Sequence, residues 1–496
     1  MDHFPPQKAV SRLAIAIALL TVSAPALADS QRISLGETLE VAVRQSPTLA
    51  DAEIDVDVAD ARLGASLGGE DWLLAARLSF LINRDEAESG NITGTDKIDR
   101  YAAETTLSKL LKTGGTVGVR ANGSYQSSFF EQFDAENVTY ETAIEAFVNQ
   151  PLLRGRGEAI ARQQARTAKT ELTAAEMSKR AAAQALVRDV IDSYWQLALA
   201  HRALAIRQSS LELARERRRL TDASVSAGQV ARTELDAVDQ IIATRQEEIL
   251  AAELVISERA IELRRRAGLE IGAGAIDLEP TAELVAPERT LDANAIIEQA
   301  FAASPELKIL EARGEGARIQ VEVAENGLLP RLDISLQGGP IGTDSTASGS
   351  VSNLVRFKGY QVSGALDFSY ELGKTGATGN SRAARAGLRA ITVSVRDIKA
   401  QLSVAAVRAV KQAENAAARI AISKQVIALA EKNVKAEQAR FELGRTTNFD
   451  ILERQEELKQ ANLRLAQATA DYLRALNVID ELSGALLERS GIKLGK

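Results

Sequence analysis

Cysteine is absent from the 496 residues, and histidine occurs only as His3 and His201. Without cysteine there are no disulfides, no thiolate metal sites and no thiol for a lipid anchor. With His201 the sole imidazole beyond the first residues, most catalytic constellations that need one are excluded. No carboxylate pair stands with a His, Lys or nucleophile in a recognisable arrangement, and no Gly-rich phosphate loop follows a strand. Neither an enzyme nor a cofactor nor a metal is therefore expected. Aromatics are only 4% of the chain, a share that suits long helices better than a compact mixed domain. Proline is missing between Leu152 and Glu279 and from Ile341 to the end. The net charge of −7 argues against a nucleic-acid partner.

What is present begins with a targeting pattern. Lys8 and Arg12 precede an apolar run from Leu13 to Val22, and Ala26-Leu27-Ala28 gives the small-x-small site that signal peptidase cuts. The run is shorter than the roughly 20 residues of a spanning helix. Residues 1–28 are thus expected to be a signal peptide. No later run is long and apolar enough to be a transmembrane helix, so any membrane insertion would use β-strands.

The rest reads as a duplication. Ser34 to Pro47 and Thr290 to Pro305 each form a short amphipathic helix ending before Ser-Pro, and a second helix follows each, from Thr48 and from Glu306. Such repeats at long separation imply two copies of a large unit, 29–270 and 290–487, joined by a linker at 271–289 and followed by a tail at 488–496. Strand-like segments then fall within 72–150 and 329–371, separated by polar loops at 84–99 and 338–353. Leu332-Asp-Ile-Ser-Leu336 alternates cleanly, and further candidates lie at 101–111 and 115–127, turning at Thr113-Gly-Gly-Thr116. Segments of this kind suit a transmembrane β-barrel and also suit globular hairpins packed on helices; alternation leaves both open.

Long helical hairpins are expected at 155–268 and 375–486. Apolar residues recur every seven in matching register: Leu197, Leu204 and Leu211 against Ala413, Ile420 and Ile427 in the ascending helices. In the descending ones Leu235, Ile242, Ile249, Ile256 and Leu263 match Ile451, Leu458, Leu465, Tyr472 and Ile479. A sustained period of seven imposes a supercoil, so these helices should pack as coiled coils. An ascending helix of this span is about 100 Å long and cannot bury its faces within one small globule.

Each hairpin turns at a glycine. Phe441-Glu-Leu-Gly-Arg-Thr-Thr-Asn-Phe-Asp-Ile-Leu-Glu453 has a weaker copy 216 residues earlier, where Gly228 pairs with Gly444 and Glu234 with Asp450. Asp450 and Glu453 lie three apart on one helical face near its start, with Glu234 and Asp236 on the matching turn. A helix starting near Thr446 would leave Asp450 past the cap, so capping would not account for it. These carboxylates are either solvated first-turn acids or a ring formed when symmetric copies meet about an axis. The basic run Arg215, Arg217, Arg218 and Arg219 suits a solvated face close to a helix C-terminus.

The duplicated layout, the Ser-Pro helices, the turns at Gly228 and Gly444, and Gln150-Pro-Leu-Leu-Arg-Gly-Arg-Gly157 resemble the TolC-like outer-membrane efflux protein family. The resemblance implies a mostly α chain with a β-barrel portion. Three such chains would give four strands each to a twelve-stranded outer-membrane barrel and their helices to a periplasmic tunnel, with a collar of short helices. It implies a homotrimer set in outer-membrane lipid and extending into the periplasm. That trimer would be the exit duct of a tripartite efflux or type I secretion system, working with a periplasmic adaptor and an inner-membrane pump. By motif position Asp450 and Glu453 correspond to constriction acids, Phe441 to the aromatic before the tip glycine and Glu234 to a partner acid. Thr446 stands where the family pattern has a locking arginine, with Arg445 adjacent. The strand candidates at 101–127 depart from four strands and read as an elongated hairpin or an extracellular elaboration. The competing reading is a soluble periplasmic coiled-coil adaptor or structural protein.

Overall fold

The computed structural model describes residues 31–84, 97–130, 135–228, 230–272 and 277–492. The signal peptide, most of the 84–99 loop, part of the linker and the last four residues of the tail lie outside them. The first pass runs β1 (Gln31–Ile33), α1 (Leu35–Gln45), α2 (Pro47–Leu67), a 3-10 turn (Gly68–Glu70), β2 (Leu73–Arg84), β3 (Lys97–Leu110), β4 (Thr116–Phe130) and β5 (Ala135–Pro151). It continues with α3 (Glu158–Ala161), α4 (Gln163–Ser226) and α5 (Thr233–Ala267). The second runs β6 (Leu278–Pro280), α6 (Ala293–Ala303), α7 (Pro305–Asn326), β7 (Arg331–Asp344), α8 (Ala347–Val355) and β8 (Gly359–Ser369). It closes with α9 (Thr375–Glu442), α10 (Asn448–Leu482) and α11 (Leu486–Arg489). The Ser-Pro motifs open α2 and α7: Ser46 and Ser304 accept from the amides of Leu49 and Leu307, with proline at the first helical position.

One antiparallel sheet in the order β2-β3-β4-β5-β7-β8 contains every long strand among the described residues. Here the structure departs from the four strands implied by resemblance. β3 and β4 pair along their full lengths with their neighbours and are neither a protruding hairpin nor an elaboration. Their turn sits at the helical end of the sheet, where the Gly157 amide donates to the Thr113 carbonyl at 2.9 Å. Strands of 11 to 17 residues meet or exceed the roughly 9–11 a tilted strand needs to cross a bilayer.

The register sorts side chains onto two unlike faces. One bears the row Phe80, Tyr101, Tyr125 and Tyr140, with Ile334 opposite Leu366. The other bears Arg100 opposite Gln126, Glu104 opposite Asn122, Arg120 opposite Glu145 and Gln337 opposite Ser363. On the apolar face Leu78, Phe80 and Tyr360 are 85%, 74% and 80% exposed, an arrangement that water would not stabilise. The 338–353 stretch expected as a loop instead continues β7 and forms α8. Thr346 caps that helix by accepting from the Gly349 amide, and Gly342 admits it against the sheet, because a Cβ there would lie 2.0 Å from the Ser350 carbonyl oxygen.

Among the described residues no helix is long and apolar enough to cross a membrane. α4 and α9, of 64 and 68 residues, are each about 100 Å long at 1.5 Å per residue. They pack on α5 and α10 through the sevenfold rows, with Leu197, Leu263, Ala413, Ile451 and Ile479 buried. Alanine dominates the α9 seam at positions 406, 409, 413 and 416, which allows close helix approach. Near mid-length α1, β1, β6 and α11 cover one side of α4 and α5, and α6 covers α9 and α10. Parallel pairing of β1 with β6 ties the two passes together. Trp195 stacks edge-on against Tyr194 in this collar, and Trp72 lies exposed at the base of β2 under the Lys109 ammonium.

Candidate functional site at the helical tips

Both hairpins reverse on a glycine that needs its backbone freedom rather than space. Gly228 and Gly444 have φ of 72° and 64°, and nothing within 4 Å would meet an added Cβ. At the second tip the Gly444 amide donates to the Phe441 carbonyl at 2.8 Å and the Arg445 amide to the Arg440 carbonyl at 3.0 Å. These are the two bonds of a Schellman ending.

Asp450 is a capping residue, contrary to the sequence expectation. α10 starts at Asn448 rather than near Thr446, so Thr447 is the N-cap and Asp450 stands at N3 of a capping box. The Asp450 carboxylate accepts from the Thr447 amide at 2.9 Å and from the Thr447 and Thr446 hydroxyls at 2.6 and 2.7 Å. These bonds, the Thr447 hydroxyl foremost, pull its pKa down to about 2. A depressed pKa stabilises the fold above the ordinary carboxylate value and loses that contribution as pH falls through the folded value, here between about pH 4 and 2. Asp450 is accordingly expected to stay charged at pH 3. Carboxylate titration followed by NMR checks this, and a midpoint near 4 would show the cap to be absent.

The other residues separate into a cross-repeat contact and isolated acids. Glu234 accepts from the Asn448 side chain at 3.3 Å, which ties the start of α5 to that of α10. Asn448 is buried, and so is Arg217, whose guanidinium lies 5.0 Å above the Phe441 ring. Burial lowers the Arg217 pKa, opposed by the nearby Glu442. Ala214, Val238 and Leu452 form the small apolar core beneath. Glu453 is exposed and only 3.9 Å from its neighbour Arg454, while Asp236 and Arg445 are exposed without an ion pair among the described residues. Thr446 bonds within its own turn rather than across the tip.

Arg217, Thr447 and Asn448 were not singled out as site residues from the sequence. Thr447-x-x-Asp450 is legible as a capping box once the helix start moves two residues. The basic run, by contrast, hid one buried member: Arg215, Arg218 and Arg219 pair with Glu212, Asp239 and Glu216, and only Arg217 crosses to the other repeat.

The chain thus joins two long helical hairpins with glycine tips to one amphipathic sheet. Residues 296–485 match the family model described as outer membrane efflux protein. No curated protein sequence matches the chain. Solved structures share its fold. The outer-membrane channel OprN is 18% identical, with a TM-score of 0.67 over 97% of this chain and 98% of its own. VceC from Vibrio cholerae is 16% identical, with a TM-score of 0.64 over 91% and 96%. The open state of MtrE from Neisseria gonorrhoeae is 13% identical, with a TM-score of 0.63 over 97% and 98%. The resemblance to TolC-like efflux proteins read from the two turns thus holds.

Proposed function

We propose that this chain is an outer-membrane exit duct: three copies form a barrel in the outer membrane and a helical tunnel in the periplasm. The observation that carries the reading is the six-stranded sheet with one apolar and one polar face. Among the described residues its outer strands β2 and β8 have free edges, and they run antiparallel to each other, so the β8 of one copy can pair with the β2 of the next. A bilayer requires such closure, because unpaired backbone groups in hydrocarbon cost several kcal/mol each. Threefold closure of this sheet gives eighteen strands, not twelve. A soluble adaptor would instead leave most of the apolar face, all but the part that α8 covers, against water.

The duct has no catalytic role. Cargo is handed to it by an inner-membrane pump through a periplasmic adaptor, as in tripartite efflux or type I secretion. The tips gate it: Arg217 on Phe441 and Asn448 on Glu234 hold the two hairpins together, and Glu453 with Asp450 and Glu234 sets a negative charge at the mouth. In planar bilayers Asp450→Ala with Glu453→Ala is expected to raise conductance and weaken block by multivalent cations. Unchanged conductance and block would remove the gate assignment. Fractionation tests the duct itself: heat-modifiable oligomers in the detergent-insoluble outer membrane are expected, and recovery wholly in soluble periplasm would refute it.

A further inference from the structure

The helical wall has a covered side and an open side. Tyr194 donates to the Ile33 carbonyl, His201 bonds the Leu278 carbonyl and Tyr472 donates to the Pro287 carbonyl, which fixes the collar side of α4 and α10. The sevenfold register turns Asp192, Gln196 and Arg474 to the opposite side. Two grooves of about 680 Å³ each run along that open side and share Arg474. One lies between α4, α9 and α10, the other between α4, α5 and α10.

Eight cations and four carboxylates line these grooves, in a chain whose net charge is −7. Each carboxylate is already engaged: Asp192 with Arg474, Asp471 with Arg419 at 2.9 Å, Asp189 with Arg188 at 2.9 Å and Glu248 with Lys459 at 2.7 Å. Among the described residues, the exposed Arg259, Arg408 and Arg464 have neither an ion pair nor a hydrogen bond. Three free guanidiniums on one face, with the local acids neutralised, leave uncompensated positive charge.

We propose that this face is a cationic belt in the tunnel and binds multivalent anions, molecules bearing several carboxylate or phosphate groups, as they pass outward. The proposal rests on the duct reading, which turns the open side toward the lumen. Three chains would place nine free guanidiniums around one narrow passage, where low-dielectric walls focus the field. Guanidinium is also the side chain best matched to carboxylate and phosphate oxygens. The tip acids lie below the belt, so an anion entering from the barrel side reaches it without passing them.

The test uses the full chain in planar bilayers, with inorganic tripolyphosphate or citrate added to one side at a time. Block from the barrel side, weakening as salt rises, is the expected result. Arg408→Glu with Arg464→Glu should raise the half-blocking concentration by about tenfold, whereas lysine at both positions should hold it within about twofold. If the reversal variant fails to insert, wild-type sidedness and salt dependence decide. Conducting channels that neither anion blocks, that block independently of salt, or that block equally in both variants would overturn the belt. Absence of any conducting channel would overturn the duct reading beneath it.

Discussion

Deleting residues 97–134 is expected to narrow the outer pore to about two-thirds of its width while the sheet still closes. β2 runs antiparallel to β5 as well as to β3, so removing β3 and β4 lets the chain pass from β2 to β5 with strand direction preserved. Side chains keep their faces: Leu78 and Thr142 already lie on the same side, linked through Ala103 and Gly123. Barrel diameter grows nearly in proportion to strand number, and a sheet of eighteen strands leaves an open aqueous channel. The size limit of neutral polymers entering from the barrel side measures the change. An unaltered limit would mean that β3 and β4 do not form part of the barrel wall.

Ile334→Arg should abolish assembly in the membrane, whereas Ser335→Arg, one residue along, should leave it intact. Ile334 lies on the apolar face opposite Leu366, and Ser335 on the polar face opposite Ala365. A cation on the lipid side costs up to about 2–4 kcal/mol per chain, less toward the interfaces, and a threefold assembly multiplies that cost. The same charge on the lumen side meets water. Heat-modifiable oligomer in the outer-membrane fraction is the readout. Equal behaviour of the two variants would contradict the assignment of faces.

Much of the architecture was readable without coordinates because its signals are local. The rows from Leu235 to Leu263 and from Ile451 to Ile479 repeat every seven residues, so helix, length and packing mode follow from spacing alone. Gly228 and Gly444 announce reversals because few other residues adopt positive φ at low cost. The strands at 101–127 were visible as strands, but their place in the sheet was not. Pairing of β3 with β2 and β4 depends on registers spanning tens of residues, which alternation within one segment does not encode. The tip was harder still. A start two residues later turns Asp450 from a surplus acid into half of a capping box, and local pattern places helix ends only to within a few residues.

The sequence by itself determined the glycine-turned hairpins and the absence of metal-thiolate and most imidazole chemistry, since each follows from residue type and spacing along the chain. Only the tertiary structure decided that six strands share one sheet, that Arg217 leaves a basic run to cover Phe441, and that free guanidiniums gather on the open side of the helices. Those outcomes depend on which distant segments meet, and that is settled by burying faces and closing hydrogen-bonded edges across the whole chain.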